Sequence, residues 1–365
     1  MSMRVTIPFL LAIFALAVCP SPAAPAQPST TRPMSPTPHR TKWAIAIHGG
    51  AGEEEWLHMD ATTAAAYHAS LAHALDAGAA VLSKGGRSID AVEAAIEVME
   101  DDPLFNAGRG AAFDSLGKNE MDAAIMDGAT LEAGSVAAVT ATKNPIALAR
   151  AVMEHSPYVM MVGPGADSFA IGQHLPQMPA SYFFTEMRWQ ELLGVLRAQK
   201  KPIPLRPAGV PAASHAIAVS RGVARFAHRF GTVGAVARDV NGNISAGTST
   251  GGMQGKLPGR VGDSPVIGAG TYAANDACAV SATGVGEYFI RLDAAKEICG
   301  LVKWKRMTVA AAAEQVIRGE VAKLKGGEGG VIVLDQKSNP VWVYNTLGMF
   351  RARQVEGGTA EVLVK

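Results

Sequence analysis

Residues 231–251 read GTVGAVARDVNGNISAGTSTG. Two strand-like runs, 232–238 and 244–250, flank Asp-Val-Asn-Gly-Asn, and Asp, Asn and Gly are the residues that tight hairpin turns select. Two registers satisfy this pattern. A two-residue Asn241-Gly242 turn pairs Val240 with Asn243 and sets Thr232 opposite Gly251. A three-residue loop, with Gly242 in the left-handed conformation, pairs Asp239 with Asn243 and sets Thr232 opposite Thr250 on the same face. Asp at the first turn position favours the second register. That register puts two threonine hydroxyls side by side at the open end of the hairpin.

A threonine hydroxyl is a poor nucleophile without an adjacent base. Histidine is the usual base, yet none follows His228. A threonine at a chain N-terminus carries its own base, because its α-amine titrates near about 7.7–8.0. This arrangement requires a cut between Gly231 and Thr232. Glycine before the cut leaves the attacked carbonyl uncrowded. The Arg-, Lys- and Pro-rich segment 184–230 offers no good core element and reads as a long exposed loop, able to leave after a cut without disturbing a core.

The chain starts MSMRVTIPFLLAIFALAVCPSPAAPAQ, with Arg4 before an apolar run from Val5 to Val18 and small residues after it. This predicts a secretory signal over 1–26, cleaved near Ala26, followed by a Pro/Ser/Thr-rich linker over 27–41. The run is short for a membrane span and Pro8 interrupts it. Val18 is large for a lipoprotein site at Cys19. The mature protein is therefore expected to be periplasmic or secreted, with no membrane attachment. Cys278 and Cys299 then remain, too few for a disulfide framework. Cys278 lies in an apolar run and reads as a small buried thiol. A net charge of +1 without basic or acidic blocks argues against a nucleic-acid partner.

Elsewhere, an apolar strand ends in HGGAG at 48–52, which reads as a tight turn because the spacing is not that of a dinucleotide loop. Helices are expected over 61–84, over RSIDAVEAAIEVMED with Ser88 as N-cap, over 144–156, over about 287–303 and over 309–324. Residues 158–162 read as a buried strand, and GGVIVLD and PVWVYN as two more. Strands and helices come in runs, which favours an α+β layered fold over a doubly wound sheet. GTSTG at 247–251 also fits a serine nucleophile elbow at Ser249, but that chemistry needs a histidine later in the chain and there is none. No metalloprotease or Cys/His zinc spacing occurs. Taken singly, Arg260 and Asp263 would read as a surface ion pair, Asn106 as a turn residue and the threonines as ordinary strand residues.

Taken together and in order, FNAGRGAAF, MDAAIMDG, GTVGAVARDVNGN, TSTGGMQGKLPGRVGDSP and SATGVGEYFIR resemble the plant-type asparaginase/isoaspartyl peptidase family of N-terminal-nucleophile hydrolases, over roughly residues 42–350. The resemblance implies an α+β fold of the four-layer αββα sandwich type. It implies self-cleavage at Gly231-Thr232 into an α-subunit (42–231, with 184–231 a flexible loop before the cut) and a β-subunit (232–365). The two form one catalytic domain, assembled as a dimer of αβ heterodimers.

By the same likeness, Thr232 is the nucleophile and Thr250 orients or polarises it. Thr283 and Gly284 form the oxyanion hole. Arg260 binds the substrate α-carboxylate, Asp263 and the Gly286 carbonyl bind its α-ammonium, and Asn106 positions substrate near the nucleophile. No cofactor is implied beyond a structural sodium ion on backbone carbonyls around residues 99–109, as in some relatives. The expected substrates are β-aspartyl dipeptides and L-asparagine. A glycosylasparaginase is the nearest alternative, but that subfamily has asparagine after TST where this chain has Gly251-Gly252. A non-catalytic exported solute-binding protein is the remote one and would keep its chain intact.

Overall fold

The structure is a computed structural model that describes residues 40–52, 59–210, 231–337 and 339–364. The expected signal, nearly all of the linker and residues 211–230 lie outside the described residues.

Among the described residues two sheets face each other. The larger has eight strands in the order β12-β11-β1-β5-β6-β2-β3-β4 and the smaller has four in the order β10-β9-β8-β7. In chain order these are β1 (Ala44–Ala51), β2 (Met121–Asp127), β3 (Ala133–Val139), β4 (Met160–Val162), β5 (Val233–Arg238), β6 (Ile244–Thr250), β7 (Thr271–Ala273), β8 (Ala279–Gly284), β9 (Gly329–Leu334), β10 (Val341–Tyr344), β11 (Met349–Val355) and β12 (Glu361–Leu363). Helices α1 (Ala61–Ser83), α2 (Ser88–Asp101) and α3 (Pro145–His155) cover the outer face of the large sheet. The pair α8 (Ala294–Lys305) and α9 (Val309–Glu314) covers the small one. The architecture is the expected four-layer αββα sandwich.

Strand alternation explains why there are two cores. In β1, Ile45 and Ile47 point to the helices and join Leu71, Leu75 and Ile96, whereas Ala44 and Ala46 point to the second sheet. In β5, Ala235 and Ala237 face the helices and Val236 the second sheet. Thr232 and Thr250 are in phase with Val236 and Ala246, so both face the space between the sheets. There the apolar lining gives way to His48, Thr248, Thr271 and Ser281, all buried.

The hairpin takes the three-residue form. Arg238 pairs with Ile244, Asp239 N–H donates to the Asn243 carbonyl at 3.0 Å, and Gly242 has φ +83°. Asp239 Oδ1 accepts from Asn241 N and Asn243 N, at 2.9 and 3.1 Å. Its Oδ2 accepts from Ser88 N at 3.2 Å and so ties the turn to the start of α2. Ser88 is therefore the first helical residue rather than the cap, with Arg87 at the cap and the Ser88 hydroxyl spent on Ser245, 2.8 Å away.

Other expectations are corrected. Within the segment read as a loop, Glu186–Ala198 is a helix (α6, after α4, Gly163–Gly172, and α5, Ala180–Phe183). It is capped by Thr185, and it buries Trp189, Leu192, Leu193 and Leu196 against Phe113. Arg206 lies over Phe184 and Trp189 and pairs with Glu186, so the chain after α6 is docked as well. The strand expected at 158–162 is a three-residue edge strand whose neighbours Tyr158 and Val159 are exposed. HGGAG is not a turn, because β1 continues to Ala51 through a bulge between His48 and Gly50. The helix expected over 287–303 is two, α7 (Gly286–Leu292) and α8, divided at Asp293, whose φ is +50°.

Cys278 and Cys299 are not free thiols. They form a disulfide, with Cα atoms 5.1 Å apart, because α8 folds back over the start of β8. Closing a loop of 21 residues is worth about 3 kcal/mol. Reduction, or Cys299→Ser, is thus expected to lower the thermal midpoint by several degrees. Paired melts with and without a phosphine reductant read this out, and identical midpoints would contradict the bridge.

Candidate active site

Thr232 and Thr250 meet as the chosen register requires. Thr232 Oγ1 donates to Thr250 Oγ1 at 3.1 Å, and Thr250 Oγ1 also accepts from Gly252 N at 2.9 Å. Both lone pairs of Thr250 are thereby used, which fixes where the Thr232 hydroxyl points. Both residues are buried.

Gly231 packs on Asn106, and a Cβ at 231 would lie 2.7 Å from Asn106 Cβ. No larger residue fits at the junction without moving that loop. Asn106 spends its side chain on the main chain: Oδ1 accepts from Ala112 N at 2.7 Å and Nδ2 donates to the Gly252 carbonyl at 2.7 Å. It thus holds the turn after Thr250 against the wall of the junction.

Thr283, on β8, faces the same way as Ser281. Its Oγ1 accepts from Ala51 N at 3.3 Å. The threonine has no acceptor for its own hydrogen among the described residues, so that hydrogen remains available to a developing oxyanion. Gly284 follows directly.

Asp263 and Arg260 do not pair with each other. Arg260 is gripped by Glu287, which accepts from Nε at 3.0 Å and from Nη2 at 2.9 Å. Its Nη1 makes no hydrogen bond among the described residues and lies beside Gly252 and Gly262. Asp263 is buried against Gly270 and Gly286, and a Cβ at Gly286 would meet Asp263 Oδ1 at 2.7 Å. Among the described residues its Oδ2 has no hydrogen-bond partner, and burial pushes the carboxyl up to about 7. A buried carboxylate oxygen without a partner is costly unless a cation completes it.

Three participants escaped the reading of the sequence. Glu287, inside SATGVGEYFIR, holds the arginine. Lys256, nearly buried, donates to the Glu120 carbonyl at 2.7 Å, beside Gly252. His48 reaches Thr232: its Nδ1 is 3.0 Å from the Thr232 carbonyl oxygen and its Nε2 is 2.9 Å from Ser281 Oγ. The sequence signal at His48 is HGGAG, whose glycines are more conspicuous than its histidine.

Comparison with known proteins agrees with this geometry. A family model described as Asparaginase matches residues 41–364. An isoaspartyl peptidase of Escherichia coli is 42% identical over 318 residues, covering 87% of this chain and 94% of that protein. One of Salmonella typhimurium is 43% identical over 318 residues, covering 87% and 97%. A probable isoaspartyl peptidase/L-asparaginase of Arabidopsis thaliana is 38% identical over 331 residues, covering 88% and 98%. With Thr232 and Thr250 paired between the sheets of an αββα sandwich and a family match over residues 41–364, the chain belongs to the asparaginase family.

Proposed function

We propose that the chain is a threonine amidohydrolase that cleaves its own Gly231-Thr232 bond and then hydrolyses β-aspartyl (isoaspartyl) dipeptides and L-asparagine. The observation that carries this is the 3.1 Å contact between the Thr232 and Thr250 hydroxyls at the residue that follows Gly231. The names of the relatives supply the substrate class.

In the first reaction Thr232 Oγ attacks the Gly231 carbonyl, the peptide C–N bond breaks as an ester forms, and water releases the two chains. The freed α-amine is then the base that was missing. In turnover Thr232 Oγ attacks the side-chain carbonyl of the aspartyl unit and the α-amine takes the hydroxyl proton. Thr283 Oγ1 and Gly284 N–H receive the oxyanion, and the amine passes its proton to the leaving nitrogen. Water, deprotonated by the same amine, hydrolyses the acyl-enzyme and releases aspartate. Arg260 Nη1 takes the substrate α-carboxylate; Asp263 and the Gly286 carbonyl take its α-ammonium.

The glycosylasparaginase alternative loses ground at Gly251, where any side chain would begin 2.4 Å from Ala112 N. An αβ dimer of heterodimers fits the exposed apolar residues around β4, such as Tyr158 and Val162. Export to an oxidising compartment fits the expected signal and the disulfide. For the structural sodium, the carbonyls of Pro103 and Phe105 both lie 2.7 Å from the point where a Gly110 side chain would begin. Two converging carbonyl oxygens are the kind of ligand a hard cation takes, and such an ion would brace the loop and take no part in the chemistry.

N-terminal sequencing of the mature polypeptides, with parallel assays on a β-aspartyl dipeptide, L-asparagine and a sugar–asparagine conjugate, tests the whole reading. One uncut chain from a fully active preparation would refute it.

A further inference from the structure

We propose that His48 is a positioning residue for the nucleophile: its Nδ1–H holds the Thr232 carbonyl, and a buried chain of hydroxyls fixes the imidazole from behind. This rests on the reading of Thr232 as nucleophile.

A carbonyl only accepts, so Nδ1 carries the hydrogen. Burial lowers the imidazole pKa to about 3, so the ring is neutral and Nε2 presents a lone pair. Ser281 must therefore donate to Nε2. Its oxygen then accepts from Thr248, 2.7 Å away, and Thr248 in turn lies 2.7 Å from Thr271. The chain crosses from β1 to β8, β6 and β7, and so ties both sheets to one tautomer and one ring orientation. Gly234 makes room for it: a Cβ there would sit 2.0 Å from Ser281 Oγ and 2.4 Å from His48 Nε2.

The need for such a device follows from the cut. The β1–β5 ladder stops at the His48–Gly234 pair, so Thr232 lies beyond it. Once severed from Gly231, Thr232 is a chain terminus, and termini fray unless something ties them down. His48 is that tie. It touches the carbonyl rather than Oγ1, so it orients the hydroxyl and the amine without exchanging a proton with either.

His48→Asn and His48→Gln separate the two contacts. The asparagine amide nitrogen falls where Nδ1 was and keeps the Thr232 bond. The glutamine amide reaches the position of Nε2, keeps Ser281 and loses Thr232. The glutamine variant is expected to lower both the first-order rate of self-cleavage and kcat by about 100-fold, with KM changed less than about twofold, while asparagine stays within about tenfold of wild type. Thermal melts confine the comparison to folded protein, since a purely structural role would penalise the two variants alike and leave kcat of the folded fraction intact. If the glutamine variant does not fold, Ser281→Ala serves: freeing the ring is expected to lower kcat by about tenfold at constant KM. Equal kcat in both histidine variants, or a loss carried by KM, overturns the role of His48. Wild-type protein that neither splits nor hydrolyses β-aspartyl dipeptides overturns the reading beneath it instead.

Discussion

Replacing Thr232 with alanine is expected to leave one uncut polypeptide and to lower β-aspartyl hydrolysis by at least about 10⁴-fold. Both losses have one origin. In the proposed reactions the hydroxyl that donates to Thr250 at 3.1 Å is the attacking atom both times, and without the first the α-amine needed for the second would never be released. The fold should persist, because the change removes one hydrogen bond and one methyl group at the end of β5, worth about 1–2 kcal/mol. Thr232→Ser keeps the oxygen but loses the β-branch that restricts its rotamers. It should split and turn over, more slowly. Electrophoresis under denaturing conditions, intact mass and a product assay on the same samples decide the matter. Activity in an uncut alanine variant would remove Thr232 from the chemistry altogether.

The hairpin that positions this atom was legible because its determinants are local. Asp239 and Gly242 set the turn, the turn sets the register, and the register sets Thr232 against Thr250. Arg260, Asp263 and Thr283 were legible through their likeness to a family and not through any periodicity. What stayed hidden is what the topology assembles from afar. His48 stands 184 positions before Thr232, and only the placing of β1 between β11 and β5 brings them together. Cys278 and Cys299 are joined by the return of α8 across β8, which no spacing rule announces. The helix α6 is a different kind of miss. Trp189, Leu192, Leu193 and Leu196 carry a helical period, but the Pro- and Arg-rich residues that follow give the whole stretch the composition of one loop. Residues 158–162 misled because an apolar run looks the same at the edge of a sheet as at its centre.

Asp263→Asn is expected to lower kcat/KM for substrates with a free α-amine by about 10²–10³-fold, chiefly through KM. The reason lies in the unfilled bonding of Asp263. The free protein already bears the cost of burying this carboxyl, whose Oδ2 has no partner among the described residues, and a bound ammonium would supply the missing charge. The pH dependence follows with a definite sign. Burial raises the carboxyl to about 7, so below that pH the group is protonated, neutral and unable to attract an ammonium; above it, the group is ionised and competent. The α-amine of Thr232 must also lose its proton, near about 7.7–8.0, to act as base. Log kcat/KM should therefore rise with pH at a slope approaching two below pH of about 6.5, because two protons must leave. In the asparagine variant one of those protons is gone and the slope should fall to one. A substrate analogue without the α-amine should show a slope of one with wild-type protein and lose little on substitution. Equal slopes in the two proteins would mean that Asp263 does not hold the ammonium, whatever the size of the loss.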